Sequence, residues 1–152
     1  MGLTFRKINA DDFPLCADIL VSAYKGAPWY NSWTKEEAQL RIEATMSGFN
    51  ARGYVAEKNN KIIAMCLGRI DYYYDNWSQF CVDEFNVDAS MKGQGIGKQL
   101  LEFTSENLKR DGVNRLFLIT GGTEASVFYE KNGFVKTDEG IMMKSNEKIC
   151  SE

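Results

Sequence analysis

The sequence predicts one mixed α/β domain built round a single sheet. Three observations carry that prediction. The chain has 152 residues, 44% of them hydrophobic, the size of one ordinary domain. Strand-period and helix-period segments alternate along it. A glycine-rich turn at Gly93–Gly97 joins a strand-like run to a helical one.

Leu3 to Ile8 alternates apolar and polar residues and reads as a first strand. Asn9 caps a helix over about Ala10 to Tyr24, with Phe13, Cys16, Ala17, Leu20, Val21 and Tyr24 on its apolar face. A loop with Gly26, Pro28, Trp29, Tyr30 and Trp33 follows. Thr34 and Glu37 form a capping box for a second helix carrying Ala38, Ile42 and Met46. Tyr54-Val55-Ala56 and a strand from Ile62 to Tyr74 make a hairpin about Asn59-Asn60. Phe80 to Val87 is a fourth strand and Lys98 to Lys109 a long helix. Leu116 to Ile119 reads as a buried strand, and Glu124 to Asn132 as a short helix closed by Gly133. Phe134-Val135 and Ile141-Met142-Met143 are expected to form a terminal core hairpin, with 145–152 as a frayed tail of the same domain.

The chain has no histidine, which removes the Ser-His-Asp triad, the Cys-His dyad and His-ligated metal sites. Its four cysteines, at 16, 66, 81 and 150, form no CxxC pair and read as reduced core thiols. No metal site is expected. The net charge of −3 offers no basic face for nucleic acid. Neither a secretory signal nor a bilayer-spanning apolar run is visible, so a soluble cytoplasmic protein is expected, without nucleic-acid or membrane partners.

The informative stretch is Lys92-Gly93-Gln94-Gly95-Ile96-Gly97-Lys98. A strand enters it and a helix leaves it. Successive backbone N–H groups there can converge on an anion, reinforced by the helix N-terminus and the two lysines. A diphosphate-bearing ligand is therefore expected. The P-loop spacing and the GxGxxG dinucleotide fingerprint both fail, since the pattern is GxGxG followed by Lys98.

With Asp83 to Val87 before this turn, the buried strand after it, and Ala125-Ser126-Val127-Phe128-Tyr129-Glu130-Lys131-Asn132-Gly133-Phe134 beyond, the sequence resembles the GNAT superfamily of N-acetyltransferases. Features similar to the aminoglycoside 6′-N-acetyltransferase-like and spermidine acetyltransferase-like branch also occur. The resemblance implies a mostly antiparallel, splayed sheet of six or seven strands with about four helices. It further implies acetyl-coenzyme A as cofactor. Phe85, Asn86 and Val87 would flank the pantetheine arm, with the acetyl oxygen near Val87. Residues 92–98 would hold pyrophosphate, and Phe128 and Lys131 would lie beside adenine and the 3′-phosphate. Two departures stand out: Lys92 replaces the commoner Arg or Gln, and Gly122 occupies a position that is Asn in many relatives.

The implied reaction is direct acetyl transfer to a primary amine of a small, cationic acceptor. An amine of pKa ~10.4 is neutral in only about one molecule in 10³ at pH 7. With no histidine, a carboxylate or water must supply any base. The resemblance makes Tyr129 the general acid for the leaving sulfur. Asp83 or Glu84 would bind or deprotonate the amine through water. Because neighbouring strand residues face opposite sides, only one of the two is expected to point at the reacting centre. Trp29, Tyr30 and Trp33, with Tyr74 and Asp75, would wall an acceptor cleft suited to an ammonium group. The exposed aromatic strand also offers a surface for a homodimer. Cys81 reads as a core thiol. The same motifs are compatible with an inactive acyl-coenzyme A sensor, or with transfer to a protein N-terminus or lysine.

Overall fold

Strands β1 (Leu3–Lys7), β2 (Ala51–Lys58), β3 (Lys61–Tyr72), β4 (Ser78–Val87) and β5 (Arg115–Phe117) form one sheet in chain order. The computed structural model describes residues 2–146. The first four strands are antiparallel neighbours, and β5 joins β4 in parallel. Helices α1 (Phe13–Lys25) and α2 (Lys35–Thr45) cover one face, and α3 (Ile96–Arg110) covers the other. Helix α4 (Thr123–Lys131) follows β5.

Local chemistry accounts for most boundaries. Asn9 and Asp12 form a reciprocal cap on a short 3₁₀ turn, so α1 begins at Phe13 rather than at the expected Ala10. Arg6 then clamps Asp12 at 2.8 Å and Glu57 at 2.7 Å, tying the start of α1 to β1 and β2. The expected box at Thr34 and Glu37 caps α2. Asn59 and Asn60, both at positive φ, close the β2–β3 hairpin. From Ala64 onward the two face clusters divide β3 by parity: Ala64, Cys66 and Ile70 pack under α3, while Met65 and Leu67 pack under α1 and α2.

Among the described residues the sheet has five strands, not six or seven, and the expected terminal hairpin does not form. Residues 134–146 adopt no helix or strand, and Met142 and Met143 are 96% and 91% exposed instead of buried. A two-stranded hairpin needs a sheet edge or helix to cover it, and β5, expected to run to Ile119, offers only three residues of edge. Cys150 and most of the expected frayed tail lie outside the described residues. None of the described helices is long and apolar enough to cross a membrane.

Gly68 sits where β3 passes closest to β4. A Cβ there would collide with the Cys81 carbonyl and the Phe80 ring. Gly68→Ala is expected to lower unfolding free energy by ~3 kcal/mol or more. Gly26, with open space around it, is the control, and Gly26→Ala should stay within ~0.5 kcal/mol. Urea unfolding midpoints measure both.

Candidate active site

β4 changes phase in its middle. Leu67 pairs with Glu84 and Gly68 with Val82, so Asp83 is an extra residue in β4. Before this bulge Phe80 and Val82 belong to the core under α3; after it Phe85 and Val87 do. The bulge therefore corrects the expectation that Asp83 and Glu84 face opposite sides. Both turn away from α3, because a bulge resets the two-residue alternation.

Glu84 is 5% exposed and its carboxylate is pinned on both oxygens. Oε1 accepts from the Tyr24 hydroxyl at 3.0 Å and from Asn86 Nδ2 at 3.2 Å. Oε2 accepts from Arg41 Nε at 3.0 Å. A buried carboxylate needs this company, since an unpaired buried charge is prohibitive. Asp83 is more open and pairs with Arg69 Nη1 at 2.7 Å. The Cys81 Sγ lies 3.6 Å from Asp83 Oδ1, and burial pushes its thiol up to about 11, which suits the core role expected of it. Tyr24 and Arg41 are not legible as site residues in the sequence. Tyr24 looks like one more apolar-face position of α1, and Arg41 like a solvated charge on α2.

β4 and β5 separate beyond Cys81. Pairing covers Gln79–Cys81 against Arg115–Phe117, while β4 runs on to Val87. The backbone of Val82–Val87 therefore faces a gap on that side. The expected pantetheine-contacting residues Phe85 and Val87 stand half-buried beside it, while the Asn86 side chain points back to Glu84.

At the end of β4 lies the glycine-rich turn. Gly93 and Gly95 take positive φ of 81° and 76°, a conformation that costs other residues a Cβ clash. From Lys92 onward, the first backbone N–H to find a backbone acceptor is that of Gln99, on Gly95 O at 3.1 Å. The donors of Ile96, Gly97 and Lys98 are thus presented at the α3 N-terminus, with the positive end of its dipole. The side chains of Lys92 and Lys98 are exposed beside them. These residues fit a diphosphate.

Helix α4 brings Tyr129 to the gap. Its ring centroid lies 6.1 Å from Phe85, 5.2 Å from Phe128 and 5.3 Å from Phe134. Burial raises its phenol above the ordinary value of 10.0, with Cys66, Tyr24 and Glu84 adding electrostatic pressure. Phe128 also packs on Phe85, at 5.7 Å, and both rings lie within reach of a Cβ at Gly97. A cleft of about 1230 Å³ is lined by α3, β5, α4 and residues 133–141, with Lys98, Phe117, Tyr129 and Lys131 among its walls; Phe85, Val87 and residues 92–97 lie outside its lining.

The two aromatic segments expected to wall one cleft are apart. Trp29 and Trp33 flank Tyr24, the residue that bonds Glu84, with ring centroids at 5.1 and 5.9 Å; Tyr30 is 72% exposed on the same loop. Tyr74 and Asp75 sit at the tip of the β3–β4 hairpin. Trp77 precedes Glu84 by seven residues along β4, a separation of about 20 Å at the usual strand rise. Among the described residues no group of three or more His, Cys, Asp or Glu could hold a metal ion.

A splayed α/β sheet with an amide cradle at the end of β4 and a phenol across the gap defines the acyltransferase class. More narrowly, the chain belongs to the GNAT acetyltransferase family: the profile described as "Acetyltransferase (GNAT) domain" matches residues 50–136. Solved structures share the fold. A protein from Clostridium difficile 630 described as a possible acetyltransferase is 13% identical, with a TM-score of 0.83 over 95% of this chain and 98% of that one. Glucosamine-6-phosphate N-acetyltransferase from Arabidopsis thaliana is 24% identical, with a TM-score of 0.70 over 97% and 100%. AAC(6′)-Iy, in complex with the bisubstrate analogue CoA-S-monomethyl-acetylneamine, is 16% identical, with a TM-score of 0.75 over 96% and 99%. No curated protein matches the chain in sequence.

Two measurements check this geometry. Arg41→Met should cost ~1–3 kcal/mol, less than a fully buried pair would because Arg41 is 40% exposed. Combining it with Glu84→Gln should recover ~1 kcal/mol or more in a double-mutant cycle of thermal unfolding. The Tyr24 and Tyr129 phenols are both raised in the folded state, mainly by burial. A raised phenol contributes stability that is whole below about pH 10 and lost as pH climbs, because the unfolded state ionises first. Tyr129→Phe should therefore flatten the fall in stability between about pH 9 and about pH 11, as read from urea midpoints.

Proposed function

We propose that the protein transfers acetyl from acetyl-coenzyme A directly to the primary amine of a small acceptor that is cationic in solution. The observation that carries this reading is the run of unanswered amides over residues 92–98, placed at the end of β4, beyond the stretch that has parted from β5. When bound, acetyl-coenzyme A supplies the activated acetyl group as a thioester.

The chain's own groups divide the remaining work. The amides of Gly93 to Lys98, with Gln94 and Lys92 in the same turn, bind the pyrophosphate. The open backbone of Phe85 to Val87 orients the pantetheine arm, and an N–H near Val87 meets the acetyl oxygen. Phe128 and Lys131 border the nucleotide end. Tyr129 is the general acid, holding on its hydroxyl the proton destined for the leaving sulfur; burial keeps that phenol protonated at neutral pH.

Glu84 supplies negative charge beneath the amine. Its Oε1 already accepts the Tyr24 O–H, so the lone pairs of the Tyr24 oxygen are left to accept from the incoming nitrogen or from a bridging water that carries the ammonium's proton to solvent. Trp29, Tyr30 and Trp33 wall that position. Asp83, answered by Arg69, adds charge from the same side. Tyr74 and Asp75 lie too far along β4 to touch this amine. No acyl group rests on Cys81, whose buried, protonated thiol is a poor nucleophile.

The test is thiol release from acetyl-coenzyme A across monoamines, polyamines, aminoglycosides and amino acids, with binding followed by calorimetry. Release with at least one small amine is expected; coenzyme binding with no release from any of them would sink the reading. Tyr129→Phe should lower kcat by about 10²-fold or more while coenzyme A affinity stays within about twofold.

A further inference from the structure

We propose that the pocket at the tip of the β3–β4 hairpin binds an alkylammonium group. It has a volume of about 400 Å³ and is lined by Tyr73, Tyr74, Asp75 and Trp77. Three aromatic rings and one carboxylate are the composition that recognises an organic cation. The rings present negative faces to it, and the acid answers its charge without the tight hydration a metal would demand. The volume is in the range of small-ligand pockets.

The turn holds these groups in place. The Tyr73 N–H donates to Trp77 O at 2.8 Å, and the Trp77 N–H donates to Tyr74 O at 3.2 Å. Asp75 and Asn76 between them take positive φ of 59° and 56°, which Asp and Asn tolerate better than other side chains. The Tyr73 and Trp77 rings stand 5.4 Å apart at 48°, an open angle rather than a closed stack. Tyr73 is 50% and Tyr74 89% exposed, so folding alone does not account for the clustering of these rings.

Trp77 already carries a cation. The Arg115 guanidinium lies 4.7 Å from its ring centroid, fixed by a 2.9 Å bond from Nε to Gln79 Oε1. Arg115 thus occupies one face of the ring, and a ligand would meet Trp77 from the side of Tyr73, with Asp75 in the same pocket as its countercharge. Asp71, the other acid nearby in β3, is 3.5 Å from Arg69 Nε and already answered. Because the pocket lies about 20 Å along β4 from Glu84, its ligand is not the nitrogen being acetylated. It is a second cation site.

The test is a titration of the ¹⁵N-labelled full chain with tetramethylammonium chloride, against sodium chloride at equal ionic strength. Saturable shifts of the Trp77 indole N–H and of amides 73–77 are expected, with a millimolar dissociation constant. Asp75→Asn should weaken binding by about fivefold or more, through the lost countercharge, and Trp77→Leu should abolish it. Shifts equal to those in sodium chloride, or an unchanged affinity in Asp75→Asn, would overturn the proposal. Asp75 is exposed, so that variant decides the matter even if Trp77→Leu fails to fold. The titration needs no coenzyme A, so its outcome for the pocket stands even if the transferase reading fails.

Discussion

One extra residue in β4 organises the rest of the structure. Without the bulge at Asp83, the strand would send Phe85 and Val87 to the α1–α2 face and Glu84 into the apolar layer beneath α3. With it, one strand supplies apolar rings to one layer and a carboxylate to the other. A one-residue shift reverses every later side chain in a strand, so this bulge fixes both the core and the candidate centre around Glu84. Gly68 is its counterpart on β3, where the two backbones come too close for any side chain.

The charge at that centre is built as a network. Glu84 is buried, and α1 and α2 each send it one partner, Tyr24 and Arg41. A buried carboxylate of this kind adds little net stability, because desolvation offsets most of the Coulombic gain. Its worth lies in direction: the proton of Tyr24 is committed to Glu84, which leaves the phenol oxygen as an acceptor. Tyr129 has no such carboxylate partner, and burial holds its phenol protonated. In the proposed reaction these two phenols, made alike by burial, take opposite tasks.

Much of this is legible in the residues. The capping signals at Asn9 and Thr34, the Asn59-Asn60 turn and the glycine-rich run each fix local backbone geometry with few alternatives. The resemblance carries the rest of the cradle and Tyr129. The bulge leaves only a faint trace: Cys81 apart, the apolar residues of β4 fall at 80, 82, 85 and 87, so the period of two slips once between Val82 and Phe85. Tyr24 and Arg41 leave none, because their roles exist only where α1 and α2 cross β4. The terminal hairpin fails for the converse reason. Its apolar pattern is real, but a strand needs an edge to lie against, and the short β5 provides little.

Gly97 carries a further consequence. Its bare backbone lets Phe85 and Phe128 rest against the first turn of α3, with room for a methyl group and no more. The glycine-rich turn and the helix that carries Tyr129 are thus parts of one machined block, joined through two rings. Under the proposed function, any lineage that enlarges this position must re-cut the nucleotide end and the chemical end together, which narrows the routes of drift.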